Sequence, residues 1–247
     1  MPANDKNTFK VSSKKSSGSR AQTRAALVDK VRARKSSMMS DLHGSFHTLG
    51  NGTLLEAVVL PEDEDPNEWL AANTVDFFNE LTLLYGLCSA DIEAKNLGPG
   101  EGFPKNIVYY WDNAEDEAPG SNKLYKDLSG PEYVELVFTW VENLIENPTV
   151  FPTDEEADWP EDFKEGYVQK MFRRMFRVFA IIYHSHFQAL EKDKKAINHL
   201  NTCFKHFIFF SMKWDLIDFG SDDVKVLKRP IKNIKEQYEN ENNSMVM

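Results

Sequence analysis

One stretch constrains this chain more than any other: EDFKEGYVQKMFRRMFRVFAIIYHSHFQA, residues 161–189, which contains no proline. At about 100° per residue, Met175, Phe176, Val178, Phe179, Ile182, Tyr183 and Phe187 fill one arc, and that arc must face a core. Arg173, Arg177 and His184 fall on the other side, with Arg174 at the margin, while His186 lands inside the apolar arc. A helix with so wide an apolar stripe needs other helices to cover it, so the spacing predicts a helical bundle.

The rest of the chain supplies the partners. In LPEDEDPNEWLAANTVDFFNELTLLYG, Pro66 suits a first helical turn, and Asp63, Glu64, Asp65 and Glu68 suit its electropositive end. Trp69, Ala72, Val75, Phe77, Leu81 and Leu84 then recur near helical spacing. PEYVELVFTWVENLIENP reads as a helix opened by Pro131 and stopped before Pro148, and NHLNTCFKHFIFFSMKWDLI as one more. Between them, NIVYYW (106–111) has the aromatic and β-branched bias of a strand, and KLYKDL (123–128) is its antiparallel partner across an acidic Gly/Pro loop. The fold class is therefore mostly α, a helical bundle with a small β-hairpin and a disordered basic N-terminal tail. Residues 1–39 form that tail, with a short helix within 25–39; residues 40–220 form the helical domain, and residues 221–247 a partly flexible C-terminal segment.

Charge narrows the function. The tail carries ten Lys/Arg against Asp5 and Asp29, so the net charge of −10 conceals a body of about −18. Such a body repels nucleic acid and suits a basic protein partner. Cys88 and Cys203 make no disulfide framework. No apolar run is long enough to cross a bilayer, and no apolar leader follows the first residues. These features predict a soluble, cytoplasmic protein that does not insert into membranes.

Arg173, Arg174 and Arg177 repel one another unless something neutralises them. A dianionic phosphate would take several forked hydrogen bonds there; ion pairs with nearby carboxylates would serve as well. The alternative of a metal-dependent hydrolase built on His184, His186, His199 and His206 has no H-E-x-x-H or paired E-x-x-H spacing to support it, and no close cysteine pair is present to complete a zinc site. GPGEG lacks the Lys-Ser/Thr ending of a phosphate loop, and no G-x-S-x-G elbow is present. Nothing in these motifs argues for catalysis.

Taken together, NEW-x-A-x-NTVDFFN, RRMFRVFAIIYHSHF and HLNT-x-FKHFIFF resemble the Mob family of kinase activators, over about His47 to Ile217. The resemblance implies a non-catalytic adaptor for NDR/LATS-type kinases that also docks phosphorylated segments of Ste20-like kinases or a scaffold, in mitotic exit, cytokinesis or Hippo-like signalling. It also admits nuclear or spindle-pole placement, and an alternative role in a phosphatase-associated complex. The family's K/R-R-x-x-R phosphate pocket falls on Arg173, Arg174 and Arg177. Its kinase-facing positions fall on Glu64, Glu68, Asp76 and His206, and its phosphorylation sites on Thr8 and Thr48. The family's structural zinc is expected to be lost. Its first cysteine reads as Ile92, its second falls in the NLG turn, its first histidine reads as Ile181, and His186 alone survives, with Cys88 four residues too early.

Overall fold

The structure, a computed structural model, describes residues 54–112, 124–125, 127–154 and 157–246. Thr8, Thr48, the basic tail and the helix expected within 25–39 lie outside the described residues. Helix α1 (Pro66–Gly86) starts where the sequence signals it: the Asp65 side chain accepts from the backbone N–H of Asn67 and Glu68 at 2.9 and 3.1 Å. A short α2 (Ser89–Lys95) follows and ends on Asn96 in the left-handed conformation. Helix α3 (Gly130–Glu146) opens on a reciprocal capping box between Ser129 and Glu132.

The hairpin is smaller than the sequence suggests. Among the described residues only Trp111–Asp112 (β1) and Leu124–Tyr125 (β2) pair, antiparallel, with Trp111 opposite Tyr125. Through residues 106–110 the alternation of NIVYYW survives without a ladder. Tyr109 and Trp111 are buried while Val108 and Tyr110 are exposed, because the inward pair packs on Tyr133 of α3.

The long segment is one continuous helical rod with wide turns at both ends. Phe163–Val168 and Ile182–His186 are π-helical and flank α4 (Gln169–Ile181), with α5 (Phe187–Leu190) beyond. Wide turns of this kind cluster where a helix must aim particular side chains. Helix α4 packs on α1 and α3 and meets α6 (Lys194–Lys213) through aromatic rings. Phe172 stacks on Phe207 at 4.9 Å, and the Phe77 ring meets both edge-on at 5.8 and 5.4 Å. Each such side chain contributes about 1.5–3 kcal/mol by burial, and each well-set ring pair about 0.5–1.5 kcal/mol more. This knot of phenylalanines fixes the angular position of α4, and with it the direction of every arginine on that helix.

The C-terminal residues add to the same core. Helices α7 (Asp222–Lys225) and α8 (Lys228–Val246) and the turn between them bury Val224, Leu227, Ile231 and Ile234. Helix α8 is pinned to α6 by Tyr238 edge-on to Phe209 at 5.1 Å and by a Lys205–Glu241 ion pair at 3.2 Å. Residues 222–246, separated from the bundle on sequence grounds, are helical and docked onto it.

Candidate functional site

The three arginines of α4 leave the helix in three directions. Arg173 is exposed and lines a cleft of about 530 Å³ between α4 and residues 215–224. Arg174, placed at the margin of the helix by its spacing, is instead 8% exposed. Its guanidinium carbon sits 4.2 Å from the Trp111 ring centroid and 3.9 Å from that of Trp140, in the corner where the two indoles meet at 76°. The flat cation is drawn inward because two π faces offer it an electrostatic partner that water would otherwise supply.

Arg177 is half-buried and fully engaged. Its Nε and Nη2 both donate to Asp223 Oδ2, at 3.0 and 2.7 Å, and its Nη1 donates to the Tyr133 hydroxyl at 3.1 Å. The Tyr109 ring lies 5.2 Å from its guanidinium carbon. Burial disfavours the charge on Arg177, but Tyr133 and Asp223 outweigh it and hold the guanidinium more firmly protonated than usual. Burial likewise pushes the Tyr109 and Tyr133 hydroxyls up. Both remain neutral, and Arg177 remains a fixed cation behind Asp223 at the cleft. The cleft is also lined by Asp215 and Asp218. A guanidinium fork therefore already presents a seat for an oxyanion, and a carboxylate of this chain is in it.

The acidic positions at the start of α1 divide in the same way. Glu64 and Asp76 are exposed. Glu68 is 5% exposed and accepts a hydrogen bond from the Trp159 indole N–H at 3.3 Å, tying the 147–162 connection to α1. His206 rests against the Phe77 ring, with centroids 4.8 Å apart, and its Nε2 has no hydrogen-bond partner among the described residues. Desolvation pushes its pKa down to about 4.

The four histidines do not converge. His184 Nε2 lies 3.1 Å from the Val226 carbonyl, and His199 Nε2 lies 2.8 Å from Glu80. His186 is fully buried with Nδ1 2.8 Å from Asp91 Oδ2. Burial pushes its pKa down, and Asp91 opposes that only partly. Among the described residues no three His, Cys, Asp or Glu side chains are grouped so as to hold a metal ion. The hydrolytic alternative built on these histidines therefore has no centre among the described residues.

The sequence model of the Mob1/phocein family matches residues 47–226. The chain belongs to the Mob1/phocein family. Among its relatives, an Arabidopsis thaliana protein named MOB kinase activator-like 1B is 44% identical over 191 residues, 77% of this chain and 84% of the relative. MOB kinase activator-like 1A of the same plant is 42% identical over equal shares. MOB kinase activator-like 1 homolog B of Dictyostelium discoideum is 42% identical over 74% of this chain and 82% of its own length.

Family membership makes the His186 neighbourhood the place to ask about zinc. The donors present do not fit a tetrahedral site, which takes four N, S or O ligands. Ile181 is wholly buried and Ile92 is packed against the core, both apolar. The Cys88 thiol faces the Leu84 carbonyl at 3.6 Å and is pushed by burial up to about 12, far from a ligating thiolate. Asp91 holds His186 and is itself bonded to Lys95 Nζ at 2.8 Å. Sequence reasoning missed Asp91 because it sits one residue before the family's cysteine position. It also missed Trp111, Trp140, Tyr133 and Asp223 around the arginines. Tyr133 and Trp140 come from α3, Trp111 from β1 and Asp223 from α7, and no local spacing links them to α4.

Among the described residues no helix is long and apolar enough to cross a membrane.

Proposed function

We propose that this protein is a non-catalytic Mob-type adaptor that binds a phosphorylated segment of an upstream protein and presents a second, acidic surface to an NDR/LATS-type kinase. One observation carries the phosphate half of this reading: the Arg177 guanidinium, backed by Tyr133, holds an oxyanion in fork geometry at the cleft that Arg173 lines. The names of the relatives supply the kinase half. Exposed Glu64 and Asp76 are the groups that meet a basic kinase segment, while Glu68 and His206 shape the surface from beneath. Ste20-like kinases are the class of upstream partner that fits.

Arg173 is the member of the cluster that can be reversed without touching the core. Arg173→Glu is expected to weaken a phosphothreonine peptide about tenfold or more and to leave the melting temperature unchanged. Fluorescence anisotropy against the phosphorylated peptide and its unmodified twin is the test. Equal affinity of wild type for both peptides would remove the phosphate half of the proposal.

We further propose that this Mob domain folds without zinc, with the Asp91–His186 contact and apolar Ile181 in place of the metal. EDTA is then expected to leave thermal unfolding unchanged. A zinc-held domain would instead lose a binding free energy of about 10 kcal/mol or more, as small zinc domains do. A fall in melting temperature on chelation, together with stoichiometric zinc by elemental analysis, would refute this.

A further inference from the structure

The arginine cleft poses an electrostatic problem for a phosphate. Arg173 lines it and Arg177 stands behind Asp223, but Asp215, Asp218 and Asp223 line it too. To reach the Arg177 fork, a phosphate must displace Asp223, whose Oδ2 occupies both donors. The displaced carboxylate would then stand beside a group carrying about −1.5 to −2 charges, with two further acidic residues lining the same cleft. Asp215 and Asp218 belong to an ordered turn. The Asp215 carbonyl accepts from the Gln169 amide at 2.8 Å, Leu216 N–H bonds the Ser211 carbonyl at 3.0 Å, and Asp218 Oδ1 accepts from Gly220 N–H at 2.8 Å. The turn that carries these carboxylates is anchored to α4 and α6.

Resting on the phosphopeptide reading above, we propose that the cleft selects phosphorylated segments carrying a lysine or arginine next to the phosphoresidue, and that Asp223 changes partner on binding. The phosphate takes the Arg177 fork. Asp223 passes to the incoming cation, and Asp215 and Asp218 complete that cation's site. Each charge in the bound cleft then has an opposite neighbour, which a neutral or acidic flank would not provide. Asp223 sits in the first turn of the four-residue α7, and Val224 beside it is buried in the core. The exchange thus needs only a turn of the Asp223 side chain and leaves α7 seated.

The test uses the full chain and peptides of equal length, each with one phosphothreonine, flanked by arginine, by alanine or by glutamate, plus an unphosphorylated arginine-flanked control. Wild type is expected to bind the arginine-flanked phosphopeptide roughly tenfold or more tightly than the glutamate-flanked one, since like charges set together in an interface are strongly penalised. In Asp215→Asn/Asp218→Asn the phosphate dependence should persist while the preference among flanks shrinks. Asp223→Asn should tighten the alanine-flanked phosphopeptide by removing the competing carboxylate. Equal binding of all three phosphopeptides by wild type, or better binding of the glutamate flank, would overturn the selectivity while leaving the phosphate site standing. Equal binding of the phosphorylated and unphosphorylated arginine-flanked peptides would overturn both, reducing the cleft to a cation site.

Discussion

Arg174→Glu is expected to destabilise the fold by about 3–5 kcal/mol, the range for leaving a buried charge without its partner. Two losses add. The guanidinium's contact with the faces of Trp111 and Trp140 disappears, and a desolvated cation–π contact is worth about 2 kcal/mol or more. In its place a carboxylate would face two electron-rich indole surfaces in a corner that is 8% exposed. Arg174→Lys keeps the charge but loses the flat stacking geometry, so it should fall between wild type and the glutamate variant. Arg173→Glu, on the exposed side of the same helix, should lie within about 0.5 kcal/mol of wild type. Urea unfolding of the three variants measures the series. If Arg174→Glu proved as stable as Arg173→Glu, the indole corner would not be a structural contact.

Stability should also fall steeply on mild acidification, and His206 is the main reason. Its pKa is about 4 in the fold, against about 6.5 for an unperturbed histidine. Above pH 6.5 the side chain is neutral in both states and contributes no pH dependence. Below it the unfolded chain takes up a proton that the folded chain refuses, so stability is lost as pH falls from about 6.5 towards 4. Such a shift amounts to about 3 kcal/mol at the acid end. His186, also held below its ordinary value by burial, acts in the same direction. Denaturation at pH 7.5 and pH 5 should show the loss. His206→Phe, which keeps a ring against Phe77, should flatten it, and an unchanged slope in that variant would assign the acid sensitivity elsewhere.

Periodicity alone made much of the fold legible. The apolar arc of residues 161–189 is buried at Met175, Phe176, Val178, Phe179 and Ile182, and the Asp65 cap and the Pro131 start lie where sequence signals put them. The strand at 106–111 was less legible, because its aromatic alternation reports burial against Tyr133, and of its residues only Trp111 is paired in a ladder among the described residues. The arginine cluster was legible as a composition and not as a geometry. Helical phase separates Arg174 from Arg173 by one step, but only the arrival of Trp111 and Trp140 from other elements turns it inward. Asp223 could not be read at all, since it lies 46 residues from Arg177 on a short helix with no apolar period.

The adaptor reading requires that two ligands occupy the domain together, one at the cleft that Arg173 lines and one at the exposed Glu64 and Asp76. The most direct measurement is sedimentation of the full chain with an NDR/LATS-type kinase N-terminal segment and a phosphothreonine peptide, each alone and then combined. The account predicts a complex containing one of each, from which Arg173→Glu removes the peptide and Glu64→Lys/Asp76→Lys removes the kinase segment. Competition between the two ligands for a single place, or a kinase segment displaced by Arg173→Glu alone, would contradict it.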